Sequence, residues 1–324
     1  MTTRRGRRES ERRAKARRIR TAAAPESSFF DRVSPNWIVG GLIGLVVFIA
    51  LFLFLVLSQI IGSSSDDRFD LGQVFSIAVT PANPETMFLG DVAGLFRSTN
   101  GGRSWNHYLI EDPIRSVYND PNDPDVFYAT GARILYKSTD GGLTWPAVES
   151  DLPDGNVSVL ASDPADSSIM YAHVGLKGVY RSTDGGLSWS LRGRVPDAAL
   201  TSLAVKPGSP ETLFAFHTVE GFVLSTDGGR IFESLRVGLP TNAISDILTL
   251  RDEPDTMFAA AGSNIYKSTD SGRNWEVSNE GVTGIRIIAL TQASGTGQLF
   301  AADFVGRVYT STDSGASWVL NEAA

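Results

Sequence analysis

The sequence predicts an all-β protein, a six-bladed β-propeller of four-stranded antiparallel blades preceded by a single N-terminal transmembrane helix. Two observations predict this: a segment built around Ser-Thr-Asp-Gly-Gly recurs six times within residues 72–324, and residues 37–61 form one unbroken uncharged run. Composition agrees with a globular chain, since 42% of the 324 residues are hydrophobic and 20% are charged. The absence of cysteine excludes disulfide scaffolds, thiolate-held zinc, iron–sulfur clusters and cysteine nucleophiles. Three histidines leave little material for a His-rich metal centre.

Taken in chain order, residues 1–36 are an arginine-rich tail. Residues 1–20 hold nine Arg and Lys15 against Glu9 and Glu11, a charge of +8; residues 21–33 add −1, and the remainder carries −14, so the net −7 is an average over unlike parts. The tail reads as a disordered topology determinant lying against the inner leaflet, with no nucleic-acid partner expected. The run Trp37 to Ile61 has 25 residues. As a helix rising 1.5 Å per residue it reaches about 37 Å, enough to cross the roughly 30 Å of bilayer hydrocarbon with some tilt. A secretion-signal core is shorter and ends in small residues, which Ser58-Gln59-Ile60-Ile61 does not supply. An uncleaved anchor in the lipid bilayer is therefore expected. Basic flanks stay cytoplasmic, so the N-terminus is inside and the bulk of the chain works outside the plasma membrane. Gly40 and Gly44 form a weak helix-pairing motif, and the Arg-dominated tail suggests a bacterial gene. Residues 62–71 are a linker.

The domain 72–324 is one repeat array. Its segments include LFRSTNGGRSW (95–105), LYKSTDGGLTW (135–145) and VYRSTDGGLSW (179–189), and the serines Ser98, Ser138, Ser182, Ser225, Ser268 and Ser311 stand 40, 44, 43, 43 and 43 apart. Each unit opens with a short apolar strand such as SIAVTP (76–81) and continues through a Pro/Asp/Gly turn. A second strand carries an aromatic, at Phe88, Tyr128, Tyr171, Phe214, Phe258 and Phe300. The third strand runs into the Ser-Thr-Asp-Gly-Gly turn, and the fourth starts at a Trp. Four short strands per 40–45 residues with turn chemistry between them make a propeller blade. Within the turn, the serines and Asn100, Asp140, Asp184, Asp227, Asp270 and Asp313 accept backbone amides. The second Gly supplies a positive φ. Trp105, Trp145, Trp189, Phe232, Trp275 and Trp318 fill the wedge between blades.

These residues resemble the Asp-box, or BNR, repeat, Ser-x-Asp-x-Gly-x-x-Trp, of sialidases, sortilin-type receptors and photosystem II stability and assembly factors. The resemblance implies that the box lies away from the ligand face and is structural. Sialidases also need three Arg, a Tyr–Glu pair and an Asp acid, with an Arg-Ile-Pro motif that is absent here. The repeat accounts for six of the eight Tyr, and leaves Arg115 and Arg286 as the only Arg on innermost strands. A non-enzymatic protein without cofactor or metal is therefore expected. The stretch Asn119 to Asp125 looks like a calcium loop, but it sits where every repeat places a turn and two prolines break its spacing.

Strand order assigns the loops. Connections 1–2 and 3–4 share the box face, and connections 2–3 and 4–1 share the face where a partner is expected at the mouth of the central channel. On that face Asp91, His217 and Asp303 fall in one register three residues past the aromatic, with His173 two past its own. Arg115, Asp246 and Arg286 are expected to reach the mouth from the innermost strands, and Asp151, Asp154, Arg192, Arg194, Asn279 and Glu280 lie in the longer 4–1 connections. His173 and His217, in adjacent repeats, are candidates for pH-sensitive binding. The expected function is non-enzymatic: a membrane-anchored extracytoplasmic propeller that binds a protein partner as an assembly or stability scaffold for a membrane complex. The alternative is a carbohydrate-active protein that binds glycans or hydrolyses them through neighbouring carboxylates such as Asp91 and Asp303.

Overall fold

A computed structural model of the chain describes residues 71–81, 83–131, 134–195, 199–235, 239, 244–293 and 295–322. The arginine-rich tail, the apolar run 37–61 and residues 62–70 of the linker lie outside the described residues; among those described, no helix is long and apolar enough to cross a membrane.

Six antiparallel sheets follow one another along the chain, each built from consecutive strands. Their innermost strands are Val74–Val79, Ser116–Asn119, Val157–Asp163, Leu200–Lys206, Ile244–Leu250 and Ile287–Gln292. Each packs against the innermost strand of the next blade, and the last packs against the first, so the ring closes. At the seam the Trp105 indole N–H donates to the Gly306 carbonyl at 3.1 Å, and the Asn321 amide donates to the Gly101 carbonyl at 2.7 Å.

The second strands are buried along their whole ordered inner length because both blade faces are covered. Phe88 faces blade 2 within a cluster containing Ile114, Val117, Phe127 and Trp145, whereas Met87 and Leu89 face blade 6 beside Phe300 and Val308. The same split recurs around the ring: each aromatic turns to the following blade and each box Trp to the preceding one. The two meet in the wedge. Phe88 and Trp145 pack edge to face at 5.4 Å, as do Phe258 and Trp318 at 6.5 Å.

One blade departs from expectation. Blade 2 has three strands, Ser116–Asn119, Phe127–Thr130 and Leu135–Ser138, and its fourth is reduced to a single bridge between Tyr136 and Ala147. Pro146 follows Trp145 directly and has no amide to give the ladder, which explains the loss.

The boxes behave as the repeat implies. The Ser182 hydroxyl donates to Asp184 Oδ1 at 2.7 Å and accepts the Gly186 amide at 2.9 Å; Ser98, Ser138, Ser225, Ser268 and Ser311 do the same in their own boxes. The second Gly has φ between 79° and 90° in all six. At Gly142 a Cβ would also come within 2.1 Å of the Phe88 ring, so close approach demands glycine as well. Hydroxyls and amides four residues on, together with the box serine, hold Asp140, Asp184 and Asp313 down at about 2, and Asp270 is held there by the Asn274 amide and side chain. Blade 4 is the variant. Ile231 stands where the other boxes have Ser, Thr or Asn, so Asp227 receives the amides of Arg230 and Ile231 and the Ser225 hydroxyl but no side chain from that position.

Candidate functional site

The six innermost strands enclose a central channel with a cavity of about 210 Å³. Hydroxyls on its wall come from Ser76, Ser116, Ser158, Ser202 and Thr291 among others, interleaved with aliphatics, and Asp246 is the one carboxylate among the described lining residues. Asp246 does not hang free. Its Oδ1 accepts the Ile247 amide at 2.9 Å and the Ser202 hydroxyl at 3.2 Å, and its Oδ2 accepts the Leu290 amide at 2.8 Å. It thereby ties blades 4, 5 and 6 together. Burial raises its carboxyl to about 6 against those three donors.

Arg251 was invisible as a channel residue in the sequence. It lies in the 1–2 turn of blade 5, and its Nη1 donates at 2.8 Å to the carbonyl of Pro121 in the corresponding turn of blade 2. Blades 2 and 5 are opposite in a ring of six, so this bond spans the channel on the box face. The other end is the mouth, and there Arg115 stacks over the Phe75 ring at 4.2 Å. Arg115 is exposed and lines the channel as expected; it precedes the innermost strand of blade 2 instead of lying in it. Arg286 is also exposed and precedes its strand, but it does not line the channel.

The register reading holds for the backbone. Asp91, His217 and Asp303 pair with Val74, Leu200 and Ile287, the first residues of their innermost strands. Their side chains, however, turn inward. Asp303 is fully buried; its Oδ1 accepts the amides of Val305 and Arg307, and its Oδ2 accepts Arg307 Nε at 2.7 Å. Asp91 is fully buried and accepts the Ala93 amide, with burial raising its carboxyl against the Ala93 and Gly72 amides. Both aspartates hold their own loops in shape, and neither lines the channel.

His173 is buried, with Nδ1 at 2.7 Å from the Ser158 hydroxyl, which also reaches the Leu200 carbonyl. Burial, then the neighbouring His217, lowers it to about 4, so it remains neutral from pH 5 to 8 and does not switch there. The buried His217 ring accepts the Glu220 amide on Nδ1 at 3.0 Å, which orients it within its loop. The 4–1 residues also work between blades, since Asp151 accepts the Trp189 amide and the Glu280 carbonyl accepts the Trp318 amide; Arg192, expected in such a connection, instead lies in the fourth strand of blade 3 and pairs with Glu211 at 2.9 Å. In the calcium-like stretch, Asp120 and Asp123 each accept the amide two residues on, as turn residues do.

What sequence reasoning missed is apolar. Five of the six 2–3 loops present an exposed aliphatic, at Val92, Ile134, Leu176, Val219 and Val305, each between 39% and 83% accessible. Blade 5 has Ser263 there. Leu109 and Ile285 add two more from the 4–1 connections. The mouth of a polar channel is thus encircled by greasy tips. Four of them, Val92, Leu176, Val219 and Val305, stand six residues before their box serine, a spacing that the repeat carries but that names no partner chemistry.

Ring, boxes and wedge residues define the chain as a six-bladed β-propeller of the BNR/Asp-box type. The BNR/Asp-box repeat model matches residues 180–191, the box of blade 3. No curated protein matches the chain by sequence. Among solved structures, it is similar to the GH74 enzyme of Niastella koreensis, with 18% identity and a TM-score of 0.54 over 77% of this chain and 45% of that one. The GH74 xyloglucanase of Xanthomonas campestris gives 14% identity and a TM-score of 0.53 over 78% and 55%. YCF48 from Cyanidioschyzon merolae gives 16% and 0.50 over 78% and 86%. The chain therefore spans about half the length of the GH74 enzymes, and at these identities the likeness is one of fold.

Proposed function

We propose that the protein is a non-enzymatic propeller, anchored outside the plasma membrane of a bacterium by residues 37–61, that binds a protein partner through its channel-mouth face and serves as an assembly or stability scaffold for a membrane complex. The observation that carries this reading is the ring of exposed aliphatics on five of six 2–3 loops. Monomeric proteins seldom keep so many large apolar side chains together on one face unless a partner covers them. The same loops are held rigid from beneath by Asp91, His217 and Asp303, which gives a partner a preformed surface.

The carbohydrate-active alternative needs two carboxylates about 5–10 Å apart in one cleft. The described channel wall offers Asp246, whose two oxygens are already taken by three donors. Binding without turnover accounts better for that wall. Assays with xyloglucan and sialoside substrates are expected to show no hydrolysis, and turnover abolished by Asp246→Asn would establish the alternative.

Photocrosslinking in native membranes tests the main reading. Probes placed at 176, 219 or 305 are expected to yield one common protein adduct, and probes at 187 or 231 on the box face none. Equal labelling from both faces, or none from the loop face, would contradict it.

A further inference from the structure

A second surface lies apart from the channel, on the outer wall where blade 1 meets blade 2. There a groove of about 780 Å³ runs beneath the 4–1 connection, with Leu109, Leu143, Trp145 and Pro146 on its apolar side and Glu111 and Asp112 on its rim. No described cation lines it. The Tyr136 hydroxyl donates to Asp112 Oδ2 at 3.0 Å and fixes that carboxylate at the wall.

Local structure shows why the groove stays open. The Ile110 amide bonds the Tyr108 carbonyl at 2.7 Å, closing a three-residue turn centred on Leu109 at φ 58°. A leucine seldom adopts that backbone region. The turn seats Ile110 in the core and leaves the Leu109 side chain 63% exposed at the groove edge. Across from it Leu143 is exposed, while Trp145, buried against Phe88 and with its indole N–H on the Gly142 carbonyl at 3.1 Å, shows the groove only a small apolar edge. Blade 2 is also the blade whose fourth-strand ladder is interrupted at Pro146, and Pro146 lines the groove.

From this geometry we infer that the groove between blades 1 and 2 docks an extended peptide segment of a partner protein that pairs a Lys or Arg with a large apolar side chain. The cation meets Glu111 and Asp112, and the apolar side chain lies against Leu109, Leu143 and Trp145. Charge complementarity selects this occupant: an acidic segment would be repelled by the rim, and a neutral polar one would leave the apolar side wet. The surface shares Leu109 and its 4–1 connection with the loop face, but none of the exposed 2–3 tips lines it.

The test is selection from a randomised dodecapeptide phage library on the full-length chain in detergent. Enriched peptides are expected to carry a Lys or Arg within three residues of Leu, Ile, Phe or Trp. Reversing both rim charges in Glu111→Lys/Asp112→Lys should weaken the consensus peptide about tenfold, the sum expected of two exposed ion pairs turned repulsive, and Leu143→Asp should weaken it independently. Both sites are exposed, and near-UV circular dichroism checks that the fold persists. Affinity should also fall with salt. Enrichment without a cation, absence of enrichment, or a consensus peptide that binds the charge-reversed protein as well as the native one would overturn the assignment. So would binding abolished by Leu176→Asp and untouched by Leu143→Asp, which would place the peptide on the loop face.

Discussion

Trp318 offers the sharpest test of how the ring is held. It is 3% exposed, lies among Leu250, Phe258, Leu290 and Tyr309 between blades 5 and 6, and donates its indole N–H to the Ser278 carbonyl at 2.8 Å. Replacement by Ala removes a bicyclic wedge that its rigid neighbours cannot refill, a loss of about 3–5 kcal/mol, and strips Ser278 of a donor for about 1 kcal/mol more. For a domain of this size each kcal/mol moves the melting temperature by roughly 2 °C, so Trp318→Ala should melt about 8–12 °C lower. Trp318→Phe keeps most of the wedge and should lose about 2–4 °C; blade 4, built with Phe232 at the same place, shows that the geometry accepts it. Thermal melts followed by circular dichroism, with guanidinium unfolding to confirm an unchanged m-value, measure both. An Ala variant within 2 °C of the native protein, or a Phe variant that falls as far as Ala, would refute the wedge argument.

Other outcomes follow from the titratable groups. Asp246 is raised in the fold to about 6, so the folded state binds more protons between pH 4 and 6 and stability falls as pH rises through that window. His173 is lowered to about 4, so the unfolded chain binds more protons over nearly the same range and stability rises with pH. Each effect is worth about 3 kcal/mol, and they oppose one another. The native melting temperature should be nearly flat from pH 4 to 6, Asp246→Asn should unmask a rise with pH, and His173→Gln a fall. Below pH 4 the box aspartates take over: their carboxyls sit near 2, so the stability they add is present above their unfolded value near 4 and is lost as pH falls through 2. A protein that unfolded at pH 4 to 5 would contradict this. In blade 4, Ile231→Thr restores the missing donor, and carboxyl titration by NMR should show Asp227 moving down to join the other boxes; an unmoved titration would mean that the position four residues on does not set it.

The architecture was legible because its determinants are local and repeated. A box needs Ser, Asp and a Gly of positive φ at fixed offsets, and its Trp must reach the preceding blade, so the period alone specifies a ring. Blade 2 escaped the pattern through one residue, Pro146, whose effect on the fourth strand depends on the ladder it would have joined. The site was legible only in its backbone. Register placed Asp91 and Asp303 on the right face, but whether a carboxylate points out or folds back on its own loop depends on loop lengths and amide directions that have no sequence period. The Arg251 bond to Pro121 joins residues 130 apart across the ring, beyond any repeat-based argument. The exposed tips at Val92, Leu176 and Val219 do keep step with the repeat, six residues before the box serine, but a lone aliphatic in a loop shows its exposure only once the fold is known.

Partner capture by a face-disrupted variant examines the account most directly. Leu176→Asp/Val219→Asp alters two side chains that contribute little to the core, being 83% and 75% exposed, and should leave the melting temperature unchanged. If the loop face is the binding surface, the protein adduct formed by a crosslinker at residue 305 should disappear in this variant. An adduct of undiminished yield, with the fold intact, would contradict the assignment of that face to a protein partner.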